Sequence, residues 1–363
     1  MKIVVISNIY PSKSRSSGIW VKTIVEEIVR SGNDVDTLVM KGVPGNPLIK
    51  GWLYLVFYLR LFFTSYKKYD LIYMHLPPFC LIPFLVRGIP KNKLVVHIHG
   101  VELDVEQRNK NFFITKLIVF LTRLACFRAI RIIVPSHAFE LRLQRKYPEL
   151  TTKIYVSPSG GIDTDLFYFC DHADLDGSGP LNLCSVGNLI HLKSHDTTIR
   201  AISRLRFPVK LTIVGSGPLK DSLQKLVRQL NLDSSVHFID HIHNRNLPEF
   251  YGKCDVFVFA SKSESLGVVS LESFSCGTPV IGSNIDAIRE YVRDGYNGFL
   301  FHCGDEQDLA DKLSAYRNLS LETKLQMRKN ARETAMKYDH RVVIKDLLEL
   351  FTRLVKHNDA GSR

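Results

Sequence analysis

Short apolar runs alternate with helix-length segments along the first half of the chain. Continuous apolar runs separated by helices are typical of strands in a parallel sheet that is covered on both faces. The segment 20–32 has a helical pattern and ends at Gly32, the residue type that commonly follows a helix. The strand candidates of this half are KIVVIS (2–7), DVDTLVM (34–40), LIYMHL (71–76), KLVVHIH (93–99), RIIVPS (131–136) and KIYVSP (153–158).

The same alternation begins again after DHADLDGSGP (171–180), an acidic, Gly/Ser/Pro-rich stretch that is typical of a linker. We therefore predict an α/β protein with two doubly wound, Rossmann-like domains, residues 1–170 and 181–340, that face a cleft. A final helix within 341–363 could pack on either domain, including back on the first. Ligands of such sheets bind beyond the carboxyl ends of the strands. The second set of strands is LNLCSVG (181–187), VKLTIVG (209–215), SVHFID (235–240), DVFVFAS (255–261), TPVIGS (278–283) and GFLF (298–301).

Composition places the chain among ordinary globular proteins, with 45% hydrophobic and 23% charged residues in 363. Seven scattered cysteines without a C-x-x-C pair suit a reducing cytoplasm. The apolar start is too short for a secretory signal, so we expect it to be the first strand. The best membrane-span candidate, residues 51–63, contains Arg60 and is shorter than the about 20 residues that a span needs, so we expect no transmembrane helix.

Positive charge is concentrated in the first half of the chain. Residues 1–170 hold 23 Lys and Arg against 12 Asp and Glu, whereas the remainder is nearly neutral within a total of +12. A basic half implies a negative partner, either nucleic acid or anionic lipid. Segments 48–66 and 112–131 combine aromatic and basic residues. This composition fits buried core helices whose cations are solvated, and it also fits helices that attach to a membrane surface.

The segment SKSESLGVVSLESFSCGTPVIGS (261–283) follows a strand and contains two glutamates, Glu264 and Glu272. Between them, Leu266, Gly267 and Val268 lie where a helix is expected to begin, and free N–H groups there can hold a phosphate. A carboxylate beside a nucleotide accepts hydrogen bonds from ribose hydroxyls. Taken alone, two glutamates on a helix surface explain the pattern equally well.

This segment resembles the donor-site signature of the retaining glycosyltransferases of family 4, which have the GT-B fold. Other landmarks of that family follow in the same order over most of the chain. They are PSKSRSSGIWV (11–21), HIHGVEL (97–103), VPSHAFELRL (134–143), VSPSGGIDTDLF (156–167), SVGNLIHLKSHDTTIRAI (185–202), LTIVGSGPLKDSL (211–223) and DGYNGFLF (294–301). The match is weakest at 41–90.

The resemblance implies the transfer of a sugar from a nucleotide-diphosphate sugar to an acceptor hydroxyl, with retention of configuration and no metal or other cofactor. It assigns His99, Lys193 and Glu264 to the reaction centre. Lys193 would neutralise the leaving diphosphate, and Glu264 would contact hydroxyls of the transferred sugar. The donor site would also include Gly18, Asn188, Leu266, Gly267, Val268 and Glu272. Glu272 would bind the ribose, and the backbone of residues 266–268 would hold the sugar and diphosphate. Gly18 would let the backbone of the first domain approach the diphosphate.

Two departures from the family pattern bear on this assignment. Asn188 stands where the family usually has an arginine, so one phosphate-binding cation is absent from that position, with Lys262 and Arg289 as candidate replacements. The segment IDAIREYV (285–292) lacks the paired glycines that usually precede the acid, here Glu290. Without that arginine, one charge-assisted hydrogen bond to the diphosphate is lost, which would weaken binding by roughly 1.5–3 kcal/mol.

Other patterns point to weaker alternatives. The Asp34–Asp36 and Asp163–Asp165 strings resemble metal-binding pairs, but each has a better explanation in a strand or a turn, so we expect no metal.

The expected acceptor is a glycan or a lipid-linked precursor of a surface polysaccharide, at the inner face of the plasma membrane. We expect no nucleic acid partner. A sugar-nucleotide epimerase or hydrolase of the same fold and a non-catalytic basic module that binds membrane or RNA remain open.

Overall fold

A computed structural model describes residues 1–12, 18–41, 46–88, 90, 92–100, 112–170 and 179–360, and the side chains among them up to residue 357. Contacts divide the chain into two compact units, one formed by residues 1–161 and 340–363 and the other by residues 162–339. Residues 162–170, which the sequence placed with the first domain, pack with the second unit. Arg332 holds them there, because its guanidinium donates to the carbonyls of Thr164 and Phe167 and to that of Ser275.

The first unit contains one parallel six-stranded sheet in the order β2-β1-β3-β4-β5-β6. The alternation of apolar runs and helices predicted a parallel sheet, and each candidate strand of the first half is a strand here. Its strands are β1 Lys2–Tyr10, β2 Asp34–Lys41, β3 Leu71–His75, β4 Leu94–His97, β5 Arg131–Val134 and β6 Ile154–Val156; its helices are α1 Ile19–Arg30, α2 Pro47–Phe63, α3 Pro77–Cys80, α4 Ile82–Arg87, α5 Phe112–Arg128, α6 His137–Lys146 and α14 His340–Ala360.

Two separate apolar clusters cover the faces of this sheet. On one face, α2, α4, α5 and α6 bury side chains such as Phe57, Phe84 and Leu121. On the other face, α1 and α14 pack through residues such as Ile24 and Phe351. The final helix therefore completes the first unit, one of the two placements that the sequence left open.

The second unit contains the other parallel six-stranded sheet, in the order β12-β11-β10-β7-β8-β9. Each predicted strand of the second half is again present, so the doubly wound α/β prediction is confirmed. Its strands are β7 Leu181–Val186, β8 Val209–Val214, β9 Val236–Ile239, β10 Val256–Phe259, β11 Val280–Ser283 and β12 Gly298–Phe301; its helices are α7 His195–Ile202, α8 Lys220–Gln229, α9 Leu247–Gly252, α10 Val268–Ser275, α11 Asp286–Arg289, α12 Glu306–Arg317 and α13 Leu321–Met336.

The helix boundaries follow local capping chemistry. The Asn46 side chain accepts hydrogen bonds from the N–H groups of Leu48 and Ile49, and Pro47 occupies the first helical position of α2, where its missing N–H is harmless. Asp305 caps α12 in the same way. None of the helices in the described ranges is both long and apolar enough to cross a bilayer.

Candidate functional site

The loops that follow β7, β8 and β10 meet at the carboxyl edge of the second sheet, where β7 lies between the other two strands. The N–H of Leu189 donates to the carbonyl of Ser216 at 2.9 Å, which joins the loops after β7 and β8. The N–H of Lys262 donates to the carbonyl of Leu192 at 2.8 Å, which joins the loops after β7 and β10. The segment that carries Lys193 is therefore fixed on both sides.

Lys193 and Glu264, which the sequence assigned to one site, form an ion pair. Lys193 ends the short 3-10 helix His191–Lys193, and Glu264 lies in the loop between β10 and α10. Their side chains are 21% and 11% exposed, and the lysine ammonium also lies 5.3 Å from the centre of the Phe259 ring. A partly dehydrated pair interacts more strongly than an exposed one. An anion that binds here would meet a cation already held in place by a carboxylate.

Helix α10 begins at Val268, where the sequence predicted a helix start. Gly267 precedes it with φ of 88°, and a Cβ at this position would lie 2.7 Å from the Phe259 ring and from the Tyr291 hydroxyl, so glycine is required by conformation and by space. No side chain of the described residues caps the helix, and none accepts from the N–H groups of Val268 and Val269. Such a helix start can bind an anionic group.

Two buried hydroxyl side chains build this turn, and the sequence reasoning missed both. The Tyr291 hydroxyl donates to the carbonyl of Leu266 at 3.0 Å, and the Ser270 hydroxyl donates to the carbonyl of Gly267 at 2.6 Å. The two hydroxyl oxygens lie 2.7 Å apart. These bonds engage two successive carbonyls and fix the backbone just before α10.

Glu272 lies on α10 beyond the helix start and is partly exposed. The Tyr251 hydroxyl donates to its Oε2 at 3.3 Å. Burial among the surrounding side chains raises the pKa of Glu272 to about 8, although the Tyr251 bond opposes the shift. A carboxylate in this environment is stabilised by further hydrogen-bond donors, such as a pair of vicinal hydroxyls.

The missing arginine at position 188 has one candidate replacement close to Lys193. Asn188 is exposed just after β7. Lys262 is also exposed, makes no ion pair within the described part of the chain, and belongs to the loop bonded to the Lys193 segment. Arg289, in contrast, is paired with Asp286 on α11. Lys262 is therefore the cation that is available to a ligand.

His99 and Gly18, the remaining site residues predicted from the sequence, lie in the first unit. His99 follows β4, is partly exposed, and has its ring centre 5.6 Å from that of Trp20. Gly18 precedes α1 with φ of 83°, and a Cβ there would lie 2.8 Å from the carbonyl oxygen of Ile9. Residues 13–17 and 101–103 of the matching motifs lie outside the described residues.

The aspartates of the two D-x-D strings are engaged in the fold. Asp36 accepts a hydrogen bond from the Tyr69 hydroxyl at 2.6 Å, and Asp163 Oδ1 accepts from the N–H groups of Asp165 and Leu166 at 3.1 and 2.9 Å. These contacts explain both strings without a ligand. The expectation that the protein uses no metal stays a prediction.

Residues 175–334 match the family model for glycosyl transferases group 1. That segment contains Lys193, Glu264, Gly267 and Glu272. Assignment to family 4 in particular stays a prediction.

Two curated relatives match the chain over different lengths. An uncharacterized glycosyltransferase of Methanocaldococcus jannaschii is 24% identical over 334 residues, which cover 89% of this chain and 87% of the relative. A lipopolysaccharide core biosynthesis glycosyltransferase of Rhizobium meliloti is 34% identical over 142 residues, or 39% of this chain. That alignment spans only 41% of the relative's own length.

Two solved structures have the same fold as this chain. Sucrose-phosphate synthase from Thermosynechococcus elongatus has a TM-score of 0.79 at 19% identity, with 98% of this chain and 99% of that one covered. Anabaena HepE, solved with UDP and glucose, has a TM-score of 0.75 at 19% identity, with 97% and 100% covered. The predicted GT-B fold is thereby confirmed.

Proposed function

We propose that this protein is a retaining glycosyltransferase that moves a sugar from a nucleotide-diphosphate sugar to an acceptor hydroxyl. The observation that carries the proposal is the arrangement in the second unit. The Lys193–Glu264 pair and the uncapped start of α10 follow adjacent strands, and Glu272 lies further along the same helix. A cation, free N–H groups and a carboxylate are the groups that bind diphosphate, sugar and ribose.

Each part of the donor has a partner in this arrangement. Lys193 and the N–H groups of Val268 and Val269 stabilise negative charge on the diphosphate. Glu264 accepts hydrogen bonds from hydroxyls of the transferred sugar, and Glu272 accepts them from the ribose. The resemblance to family 4 adds Gly18 and His99 from the first unit to the same reaction.

The reaction needs no enzyme nucleophile in this proposal. The bond between the anomeric carbon and the diphosphate oxygen breaks, and the acceptor oxygen forms its bond to that carbon on the same face. The acceptor proton moves to the leaving phosphate oxygen. The protein then contributes positioning of the reactants and stabilisation of the charge that develops on the diphosphate. The proposal includes no metal ion or other cofactor.

Binding followed by turnover tests this function. Thermal shift across UDP-, GDP- and ADP-sugars identifies the donor, and incubation of that donor with candidate acceptors should give a glycoside of unchanged anomeric configuration. Free or isomerised sugar formed without an acceptor would instead favour the hydrolase or epimerase alternative. Salt-dependent RNA binding without donor binding would overturn the enzyme assignment.

We also propose that the acceptor is reached at an anionic membrane surface, such as the cytoplasmic leaflet. The helix layer formed by α2, α4 and α5 supports this because its outer side is apolar although its inner side already packs on the sheet. Leu48, Val86 and Phe113 are 84%, 82% and 81% exposed. An apolar surface of this extent on a protein usually marks an interaction site.

The charge of this layer favours a bilayer over a protein partner. Helices α2, α4 and α5 contain no aspartate or glutamate, and they carry the cations Lys50, Arg60, Arg87, Lys116, Arg123 and Arg128. Arg123 is paired with Glu149 at 3.2 Å, and the other cations of these helices form no ion pair with a carboxylate of the described residues. Apolar side chains flanked by cations suit the interface of an anionic membrane, at about 1 kcal/mol for each cation near the surface. A lipid-linked acceptor, such as a precursor of a surface polysaccharide, would be presented at such an interface.

Co-sedimentation with vesicles tests this attachment. Binding should increase with the fraction of phosphatidylglycerol in phosphatidylcholine vesicles and decrease with salt. Binding that ignores both lipid charge and salt would contradict the proposal. Self-association in the absence of lipid, with no vesicle binding, would show that a second copy covers this layer.

A further inference from the structure

Three histidines meet at the carboxyl edge of the first sheet. His75 ends β3, His97 ends β4, and the register of these neighbouring strands places the two residues side by side. His99 follows two residues after His97, so the pleat returns it to the same side of the strand. Of the three, only His99 is a site residue predicted from the sequence. The side chains of His75 and His97 are fully buried.

His75 and His99 are joined by a hydrogen bond between their rings. His75 Nδ1 lies 3.0 Å from His99 Nε2, the ring planes differ by 11°, and the ring centres are 5.3 Å apart. These values describe two nearly coplanar rings that meet edge to edge, the arrangement of a direct N–H···N bond. His97 lies against the face of His99, with ring centres 4.1 Å apart and an angle of 21°.

Both bonded rings are neutral in this environment. Burial lowers the pKa of His75 well below its usual value and lowers the pKa of His99 to about 3. Two neutral imidazoles that share one contact hold a single proton between the two nitrogens, so one ring donates and the other accepts. The remaining question is which ring donates.

The surroundings of the second ring nitrogen of His75 identify which ring donates. His75 Nε2 is buried and has no hydrogen-bond partner among the described residues. A proton on Nε2 would leave a buried N–H donor unsatisfied, and orphaned buried donors are rarer than under-satisfied acceptors. His75 therefore carries its proton on Nδ1 and donates it to His99 Nε2. It follows that neutral His99 carries its own proton on Nδ1.

A metal ion is the competing explanation, because the ring nitrogens of the three histidines lie within 4.8 Å of one another. A metal lies in the plane of each imidazole that binds it, about 2.0–2.1 Å from the nitrogen. The planes of His97 and His99 are close to parallel and stacked, so they meet only far from both rings. The contact between His75 and His99 also leaves no room for an ion between their facing nitrogens.

We propose that His75 is a positioning residue that holds His99 in the Nδ1–H tautomer. The proton of His99 then lies on Nδ1, while its Nε2 accepts the bond from His75 and cannot serve as a base. The catalytic meaning rests on the proposed glycosyl transfer, in which Nδ1–H would donate to an oxygen of the transferred sugar. The tautomer itself is a property of the free protein and can be measured without any substrate.

Nitrogen-15 NMR of the histidine rings tests the assignment, with the His99 signals identified by their loss in His99→Gln. The free protein should show neutral His99 protonated on Nδ1 from pH 5 to 8. His75→Leu should move the proton to Nε2, which a free histidine side chain prefers, whereas His75→Asn keeps an amide donor near the Nδ1 position and should retain the Nδ1–H form. Tyr73→Phe is the matched control, because its hydroxyl contacts His97 Nδ1 at 2.6 Å and not the bonded pair.

Turnover supplies a second readout. His75→Leu should lower kcat about tenfold, the scale of one lost hydrogen bond, with KM for the donor nearly unchanged, and His75→Asn should recover most of the loss. Unchanged NMR signals of the substituted first unit away from the histidine cluster show that each variant is folded. An Nε2–H tautomer in the unsubstituted protein, or no change in His75→Leu, overturns the proposal. So does tight Zn²⁺ binding that is lost in His75→Leu. Failure of glycosyl transfer alone, with the tautomers as expected, would reject the proposed function and not the His75–His99 bond.

Discussion

The ammonium group of Lys193 and the carboxylate of Glu264 form an ion pair that joins the loops after β7 and β10. Each side chain is mostly shielded from solvent, so removal of one partner leaves the other charge without compensation. The pair therefore has two roles to separate, one in folding and one in binding the donor. Substitution of one partner and then of both distinguishes them.

We expect Lys193→Met to lower glycosyl transfer at least about 100-fold, because it removes a strong contact to the leaving diphosphate. The same change should lower the melting temperature, and the additional change Glu264→Gln should restore stability without restoring transfer. Lys312→Met is the matched control. Lys312 lies on α12 and pairs with Asp294 at 3.7 Å, and neither residue belongs to these loops. Near-normal turnover in both Lys193→Met and Glu272→Ala would overturn the assignment of the site.

The raised pKa of Glu272 predicts how stability depends on pH. The folded carboxyl has a pKa of about 8 and the unfolded one an ordinary value near 4.5, so the folded state binds more protons between these values. The free energy of unfolding should therefore fall as pH rises through this window, by at most about 1.4 kcal/mol per pH unit from this group. Glu272→Gln should remove that part of the slope, as urea unfolding at pH 5, 6.5 and 8 can measure.

Donor binding should oppose this trend. Ribose hydroxyls donate to the ionised carboxylate, so donor affinity should rise with pH below 8, by at most about tenfold per unit. The rise should vanish in Glu272→Gln and persist in Glu249→Gln, an exposed glutamate on the neighbouring helix α9. An identical pH profile in the unsubstituted protein and Glu272→Gln would argue against a ribose contact. Isothermal titration with the nucleotide sugar gives both profiles.

The strands of both sheets could be predicted from the sequence because continuous apolar runs identify strands that are buried on two faces. The ends of the strands could not be predicted, because the last residues of an apolar run can belong to the following loop. Residues 98–99, for example, belong to the apolar run but not to β4. The helix start at Gly267 was also predictable, since glycine there has a local conformational cause. The side of α2 that faces outward could not be predicted, because the sequence of a helix that is apolar on all sides does not show which side packs on the sheet.

Contacts between distant elements account for what the sequence could not predict at the site. Tyr251 lies on the short helix α9, and only the packing of α9 against α10 brings its hydroxyl to Glu272. His75 looks like a buried residue at a strand end. The pairing of β3 with β4 sets it beside His97, and that register has no signature in the sequence.

The outer side of α2 and α5 predicts a separable membrane defect. Changing Trp52 and Phe113 to serine, or Lys50 and Lys116 to glutamate, should weaken vesicle binding about tenfold or more, because apolar contact and cation attraction both contribute. Transfer to a water-soluble acceptor should be unchanged. Lys210→Glu, an exposed lysine of β8 in the other unit, is the charge control. Equal vesicle binding by all these variants would exclude this surface as the attachment site.

Lys262 is predicted to replace the arginine that is missing at position 188. Its backbone N–H binds the carbonyl of Leu192 at 2.8 Å, so it lies beside the segment that ends in Lys193. Lys262→Met should weaken the binding of a nucleoside diphosphate about tenfold and leave that of the nucleoside unchanged, because only the phosphates lose a charge-assisted contact. Asn188→Arg in the same chain should restore affinity by returning a cation after β7. Arg289→Met should change affinity less than about twofold, since Arg289 is paired with Asp286. A loss as large in Arg289→Met as in Lys262→Met, or the failure of Asn188→Arg to compensate, would refute the replacement.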